Sequence, residues 1–142
     1  VCFTPDGAYL FACHDDGFVF QWDVITGRQV RSVRRGFQRV CLTCSPDGRR
    51  VFLGCPGQIV YTAEVNQTML PFSPLLSCEG ATVLAHSPTQ PYLACGTEKV
   101  QYGACIQIWD VDSRTLVTKL YGHNAPVVCL AWSPDGRYIV SA

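Results

Sequence analysis

Five arginines fall between residues 28 and 39: Arg28, Arg31, Arg34, Arg35 and Arg39. No Asp or Glu occurs from Val24 to Pro46. A guanidinium fork matches the paired oxygens of carboxylates and phosphates, so this stretch suits an acidic or phosphorylated protein segment. Arg31, Arg34, Arg35, Phe37 and Arg39 are the candidate partner contacts. The competing reading is a solvated strand edge whose charges keep other chains from pairing with it.

Three other patterns could carry chemistry, and each reads better as structure. Cys41-Leu42-Thr43-Cys44 has the spacing of half a zinc site. On a strand, however, an odd spacing sends the two thiols to opposite faces. His14, His86 and His123 lie in no nucleophile motif, and a catalytic histidine needs a paired nucleophile. Asp15 and Asp16 precede Gly17 and read as turn formers. There is no phosphate loop and no dinucleotide fingerprint. The sequence therefore assigns no catalytic residue, no metal and no cofactor.

The elements that would position these residues recur along the chain. Residues 4–7 read Thr-Pro-Asp-Gly, and residues 45–48 and 133–136 read Ser-Pro-Asp-Gly, with Ser-Pro-Thr at 87–89. Their prolines, Pro5, Pro46, Pro88 and Pro134, stand 41, 42 and 46 residues apart. Proline presets φ for a turn and glycine takes the conformation other residues resist. Around each turn lie short β-branched or aromatic runs bounded by Gly, Pro, Asn and Asp, which predicts strands and little or no helix. The expected third strands are Phe18–Asp23, Ile59–Glu64 and Cys105–Asp110. The expected fourth strands are Gln29–Val33 and Thr115–Leu120. Segment 66–80 predicts a fourth strand and a connection, with Phe72 or Leu75 packing on the sheet edge or docking a partner.

Four short strands in each unit of about 40 residues describe a propeller blade. With Trp22-Asp23 and Trp109-Asp110 ending third strands and Gly122-His123 opening the last copy, nearly the whole chain resembles the WD-repeat β-propeller family. The resemblance implies an all-β fold, a partial β-propeller of about three and a half four-stranded antiparallel blades. The units would be approximately 1–33, 34–77, 78–120 and an incomplete 121–142, as a fragment of a longer propeller whose remaining blades are its neighbours. In that family a loop His, a strand Ser or Thr, a turn Asp and the Trp form a buried polar chain. Asp16, Trp22, Asp23, Trp109, Asp110, His123 and Ser141 match positions of the repeat. The second copy departs from it, with Ala63-Glu64 in place of Trp-Asp. The third has Gly103 where the turn Asp belongs and extra residues between Gly96 and Ala104.

Formal net charge is zero, which disfavours nucleic acid as a partner, and no run of 18 apolar residues predicts a membrane span. Nine cysteines are an odd number, and most sit on predicted strands. They read as reduced core thiols of a cytoplasmic chain, on the cytoskeleton in the favoured reading, with the nucleus as the other reducing compartment. Asn66-Gln67-Thr68 matches a glycosylation pattern that would stay idle there. The expected function is a non-catalytic protein-interaction scaffold, favoured as cytoskeletal or associated with centrioles and cilia. The alternative is a substrate-receptor or adaptor propeller of a ubiquitin ligase or another multiprotein complex.

Overall fold

The repeated quartet builds the same hydrogen-bonded turn three times. The Thr4 hydroxyl donates to Asp6 Oδ1 at 2.6 Å and accepts the Tyr9 amide at 2.9 Å, while Asp6 Oδ1 accepts the Ala8 amide at 3.0 Å. Ser45 with Asp47, and Ser133 with Asp135, repeat this set on the amides of Arg49, Arg50, Arg137 and Tyr138. The amides of Gly7, Gly48 and Gly136 close the turns onto the carbonyls of Thr4, Ser45 and Ser133. The third copy has no carboxylate at this place. There the Ser87 hydroxyl itself accepts the amides of Thr89 and Gln90.

The computed structural model describes residues 1–14, 16–36, 40–55, 57, 59–67, 69–78, 80–98 and 103–142. Among these, every regular element is a strand. The first sheet holds β1 (Cys2–Phe3), β2 (Tyr9–Cys13), β3 (Phe18–Asp23) and β4 (Gln29–Arg34). The second holds β5 (Cys41–Cys44), β6 (Arg50–Gly54), β7 (Ile59–Glu64) and β8 (Ser73–Ser77). The third holds β9 (Ala81–His86), β10 (Tyr92–Thr97), β11 (Ala104–Asp110) and β12 (Thr115–His123), and a two-stranded sheet pairs β13 (Leu130–Trp132) with β14 (Ile139–Ser141). Within each sheet the strands run in chain order and every pairing is antiparallel. This is the expected all-β partial propeller: three four-stranded blades and two strands of a fourth. β12 runs on to His123, beyond the expected end at Leu120, because its ladder with β11 continues to Ala104 across a bulge.

Period-two alternation gives each blade two apolar faces. Phe11 and Val19 of the first blade pack on Leu42, Val51 and Leu53 of the second. The other face of the second blade, with Phe52 and Val60, packs on Leu84, Leu93 and Cys95 of the third. Ala94, Ile106 and Ile108 then meet Val127 and Leu130. Phe11, Val51, Phe52, Leu53, Val60 and Leu93 are wholly buried by these contacts. The third blade meets the chain beyond it closely enough that a Cβ added to Gly96 would lie 2.9 Å from Val127.

The turn carboxyls couple this fold to pH. Asp6, Asp47 and Asp135 are held below the usual value of 3.8, first by the hydroxyls of Thr4, Ser45 and Ser133 and then by turn amides. A lowered folded pKa means the unfolded chain takes up protons first. The contribution is therefore complete above 3.8 and is lost as pH falls through the lowered values. Thermal melts of the purified protein from about pH 7 to about pH 2 should show falling stability. Asp47→Ala should start lower at neutral pH and fall less steeply.

Candidate partner-binding rim

Antiparallel order places the β2–β3, β4–β5, β6–β7 and β8–β9 connections at one end of the blades and the Pro-Asp-Gly turns at the other. The arginine stretch spans both ends. Arg28 lies at the β3–β4 turn, while Arg34 closes β4. At about 3.3 Å per strand residue the two stand roughly 20 Å apart. Arg28 and Arg34 therefore share no patch, and of the described arginines of this stretch Arg34 and Arg35 lie at the rim.

The rim is stitched by backbone. The Arg35 amide donates to the Gly17 carbonyl at 2.8 Å, which joins the β2–β3 turn to the β4–β5 connection. Gly17 has φ +84°, and a Cβ there would lie 2.8 Å from Gly36 N, so glycine is required on both counts. Arg34 and Arg35 leave this stitch in different directions. Arg34 is exposed, with its guanidinium carbon 5.9 Å from the Phe18 ring centroid. Arg35 is half-buried: its Nη2 donates to the Phe72 carbonyl at 2.7 Å, and its fork lies over the rings of Tyr61 and Phe72 at 5.4 and 5.7 Å. Arg35 thus clamps the first blade to the second. Phe72 is only 5 % exposed beneath it, and Leu75 is half-buried. Arg31 is half-buried mid-strand, opposite the fully buried Gln21. Phe37 and Arg39 lie outside the described residues, as do Asp15 and Thr68.

Beside Arg34, His14 Nδ1 and Asp16 Oδ1 are 3.1 Å apart and both well exposed, a pair worth little in stability. The Phe18 amide holds the Asp16 carboxyl below its usual range, and His14 and Arg34 add to the effect. Among the described residues the rim therefore offers an exposed guanidinium on an aromatic ring, with a carboxylate and an imidazole beside it.

The repeat positions take several roles. His123 Nε2 and Ser141 Oγ meet at 2.8 Å, joining the β12 end to β14. Asp23 accepts the Thr26 amide at 2.8 Å, and Asp110 accepts those of Asp112 and Ser113 at 2.9 and 3.0 Å, so both organise the turn after a third strand. Asp16 is exposed and serves its own turn, while Trp22 lies against Phe20 in a row of rings with Phe18. The Trp109 indole donates to Gln107 Oε1 at 3.1 Å. That partner was not foreseen, although residues two apart on a strand share a face. Also unforeseen was Thr97, whose hydroxyl accepts the Cys105 amide and donates to its carbonyl, tying β10 to β11 where Gly103 replaces the turn Asp.

Cys41 and Cys44 do diverge. Cys41 packs toward the third blade, where burial raises its thiol to about 12, and Cys44 faces the first. His86 sits between the second and third blades with its ring 5.4 Å from that of Phe52, and burial lowers its pKa. Among the described residues no group of three His, Cys, Asp or Glu side chains is arranged to hold a metal.

Comparison with known proteins agrees with this geometry. Residues 1–23 and 114–142 match the WD40 family model, the WD domain or G-beta repeat. Telomerase Cajal body protein 1 of Rattus norvegicus is 28% identical over 160 residues, covering 96% of this chain and 27% of its own. Autophagy-related protein 16 of Arabidopsis thaliana is 24% identical over 148 residues, covering 100% of this chain and 28% of its own. WD repeat-containing protein 1 of Bos taurus is 31% identical over 110 residues, covering 75% of this chain and 17% of its own. Hydrazine synthase of Kuenenia stuttgartiensis superposes with a TM-score of 0.83 over 99% of this chain and 42% of that one, at 20% identity, a likeness of fold alone. Residues 1–23 and 114–142 thus match WD repeats within a partial β-propeller, and the chain spans about a quarter of the length of the first two relatives.

The two rim arginines should separate in a stability assay. Arg35→Ala leaves the Phe72 carbonyl without its partner and should cost about 1–3 kcal/mol in urea unfolding. Arg34→Ala, on an exposed side chain, should change stability by less than about 0.5 kcal/mol.

Proposed function

We propose that this chain belongs to a non-catalytic protein-interaction scaffold, in which packed blades hold loops in fixed positions for a partner to read. The single observation that carries the reading is the division of labour at the rim. Arg35 is engaged between blades, whereas Arg34 is presented outward on Phe18 with its fork free of close pairing among the described residues. An acidic or phosphorylated protein segment is the chemistry such a group receives. Phe37 and Arg39 are proposed as the flanking contacts, with Arg31 set back from them, half-buried in mid-strand.

In the favoured reading the partner is an acidic cytoskeletal polymer, which would place the scaffold on the cytoskeleton or at centrioles and cilia, within the cytoplasm. A second reading, an adaptor or substrate receptor of another multiprotein complex, draws support from the relatives. Their names point to telomerase and the Cajal body, to autophagy and, in apoptotic protease-activating factor 1 of Rattus norvegicus, to apoptosis. The Cajal body relative also supports a nuclear site.

Co-sedimentation of the purified protein with microtubules at low and high salt tests the first reading. Arg34→Glu is the proper variant, because reversing Arg35 would also loosen the blades. Binding that weakens with salt and falls several-fold in Arg34→Glu is the expected result, as for a screened charge contact. Absence of pelleting, with capture of phosphorylated degron peptides lost in Arg34→Glu, would move the chain to the adaptor reading. Equal binding by the variant in both assays would make Arg34 a solvated edge.

A further inference from the structure

Cys2 on β1 and Cys44 on β5 bring their sulfurs to 3.3 Å across the junction of the first and second blades. The positions are not accidental. Cys44 stands just before Ser45 of its turn, and Trp132 holds the matching place before Ser133. Trp132 reaches back to the preceding blade, where its indole donates to the Ala85 carbonyl at 3.0 Å. Ala85 in turn holds the place of Cys2, two residues before the turn Ser or Thr. The same register position thus makes a contact between blades twice, once through an indole and a carbonyl and once through two thiols. At other junction positions thiols bond to backbone: Cys13 reaches the Val40 carbonyl and Cys41 those of Gly54 and Ala81.

We propose that Cys2 and Cys44 form a dithiol site that an oxidant of the hydroperoxide class converts into a reversible disulfide linking the first two blades. An S–S bond of about 2.05 Å requires the sulfurs to close from 3.3 Å, a movement within reach of side-chain rotation. Both residues are half-buried, whereas Cys55, Cys78, Cys95 and Cys105 are buried. A groove of about 490 Å³ lies between the first two turns, walled by Thr4, Pro5, Asp6, Pro46 and Asp47, a few residues along the chain from the two thiols, neither of which lines it. The pair is also asymmetric. Either sulfur can be the donor in this contact, which holds the Cys44 thiol low and the Cys2 thiol high.

With Cys44 as the nucleophile, its thiolate attacks one peroxide oxygen, the O–O bond breaks, and hydroxide leaves and is protonated to water, giving a sulfenic acid; the balance is the same with the two thiols exchanged. The Cys2 sulfur then attacks the Cys44 sulfur. The S–S bond forms, the S–O bond breaks, and the departing hydroxide takes the Cys2 proton as a second water. Two thiols are oxidised, one peroxide is reduced, and a thiol reductant reverses the change.

The test exposes the purified protein to hydrogen peroxide, blocks remaining thiols with N-ethylmaleimide and maps cross-linked peptides by mass spectrometry without reduction. A peptide joining Cys2 to Cys44 is expected, lighter by two hydrogens and cleaved by dithiothreitol. It should persist in Cys13→Ser and Cys41→Ser, which share its proteolytic fragments, and vanish in Cys2→Ser. Alkylation of both Cys2 and Cys44 after peroxide in the unmutated protein would overturn the proposal. So would a link that maps to Cys13 and Cys41. The unmutated protein decides these outcomes, so a poorly folding variant does not blur them.

Discussion

Every sheet here has two apolar faces, and neither can be satisfied by the sheet itself. The second blade shows this most directly: Val51 and Leu53 are buried against the first blade, and Phe52, between them in sequence, is buried against the third. Stability in such a stack is a sum of blade terms and junction terms, with the junctions carrying much of the apolar burial. Rigidity of the loops at either end follows, because each loop is anchored in two strands that are pinned from both sides.

That constraint also decides what the polar residues do. Thr4, Ser45 and Ser133 are turn hydroxyls, Asp23 and Asp110 are turn acceptors, and His123 is bonded to Ser141. Arg50 reaches across a junction to Asp112 at 3.3 Å, and Arg35 reaches across another to Phe72. Histidine, arginine and carboxylate side chains that would suggest chemistry in isolation are used to hold turns and join blades. Arg34 at the rim, exposed on the Phe18 ring, has no such role among the described residues.

Much of the fold was legible in the residues. β3 and β7 have the ends expected from Phe18–Asp23 and Ile59–Glu64, because Gly, Pro and Asp punctuation marks both. The rim was less legible. Arg35 follows the last residue of β4, where alternation no longer says which way a side chain points, and the stitch from its amide to Gly17 turns it inward. Phe72 could not be placed without knowing that Arg35 covers it. The Trp109–Gln107 bond replaces the partner expected from the repeat pattern, and the Cys2–Cys44 contact depends on how neighbouring blades are registered, which no single repeat encodes.

Hydrogen–deuterium exchange on Phe52→Ala addresses the central claim most directly, since the truncation should cost about 3–5 kcal/mol at one junction. The account predicts faster exchange in β6 and β7 and also in β9 and β10 across the junction, with β2 and β3 changed least. Exchange that rises only within the second blade would mean that each blade holds its own structure, and would contradict the claim that packing between blades makes the platform.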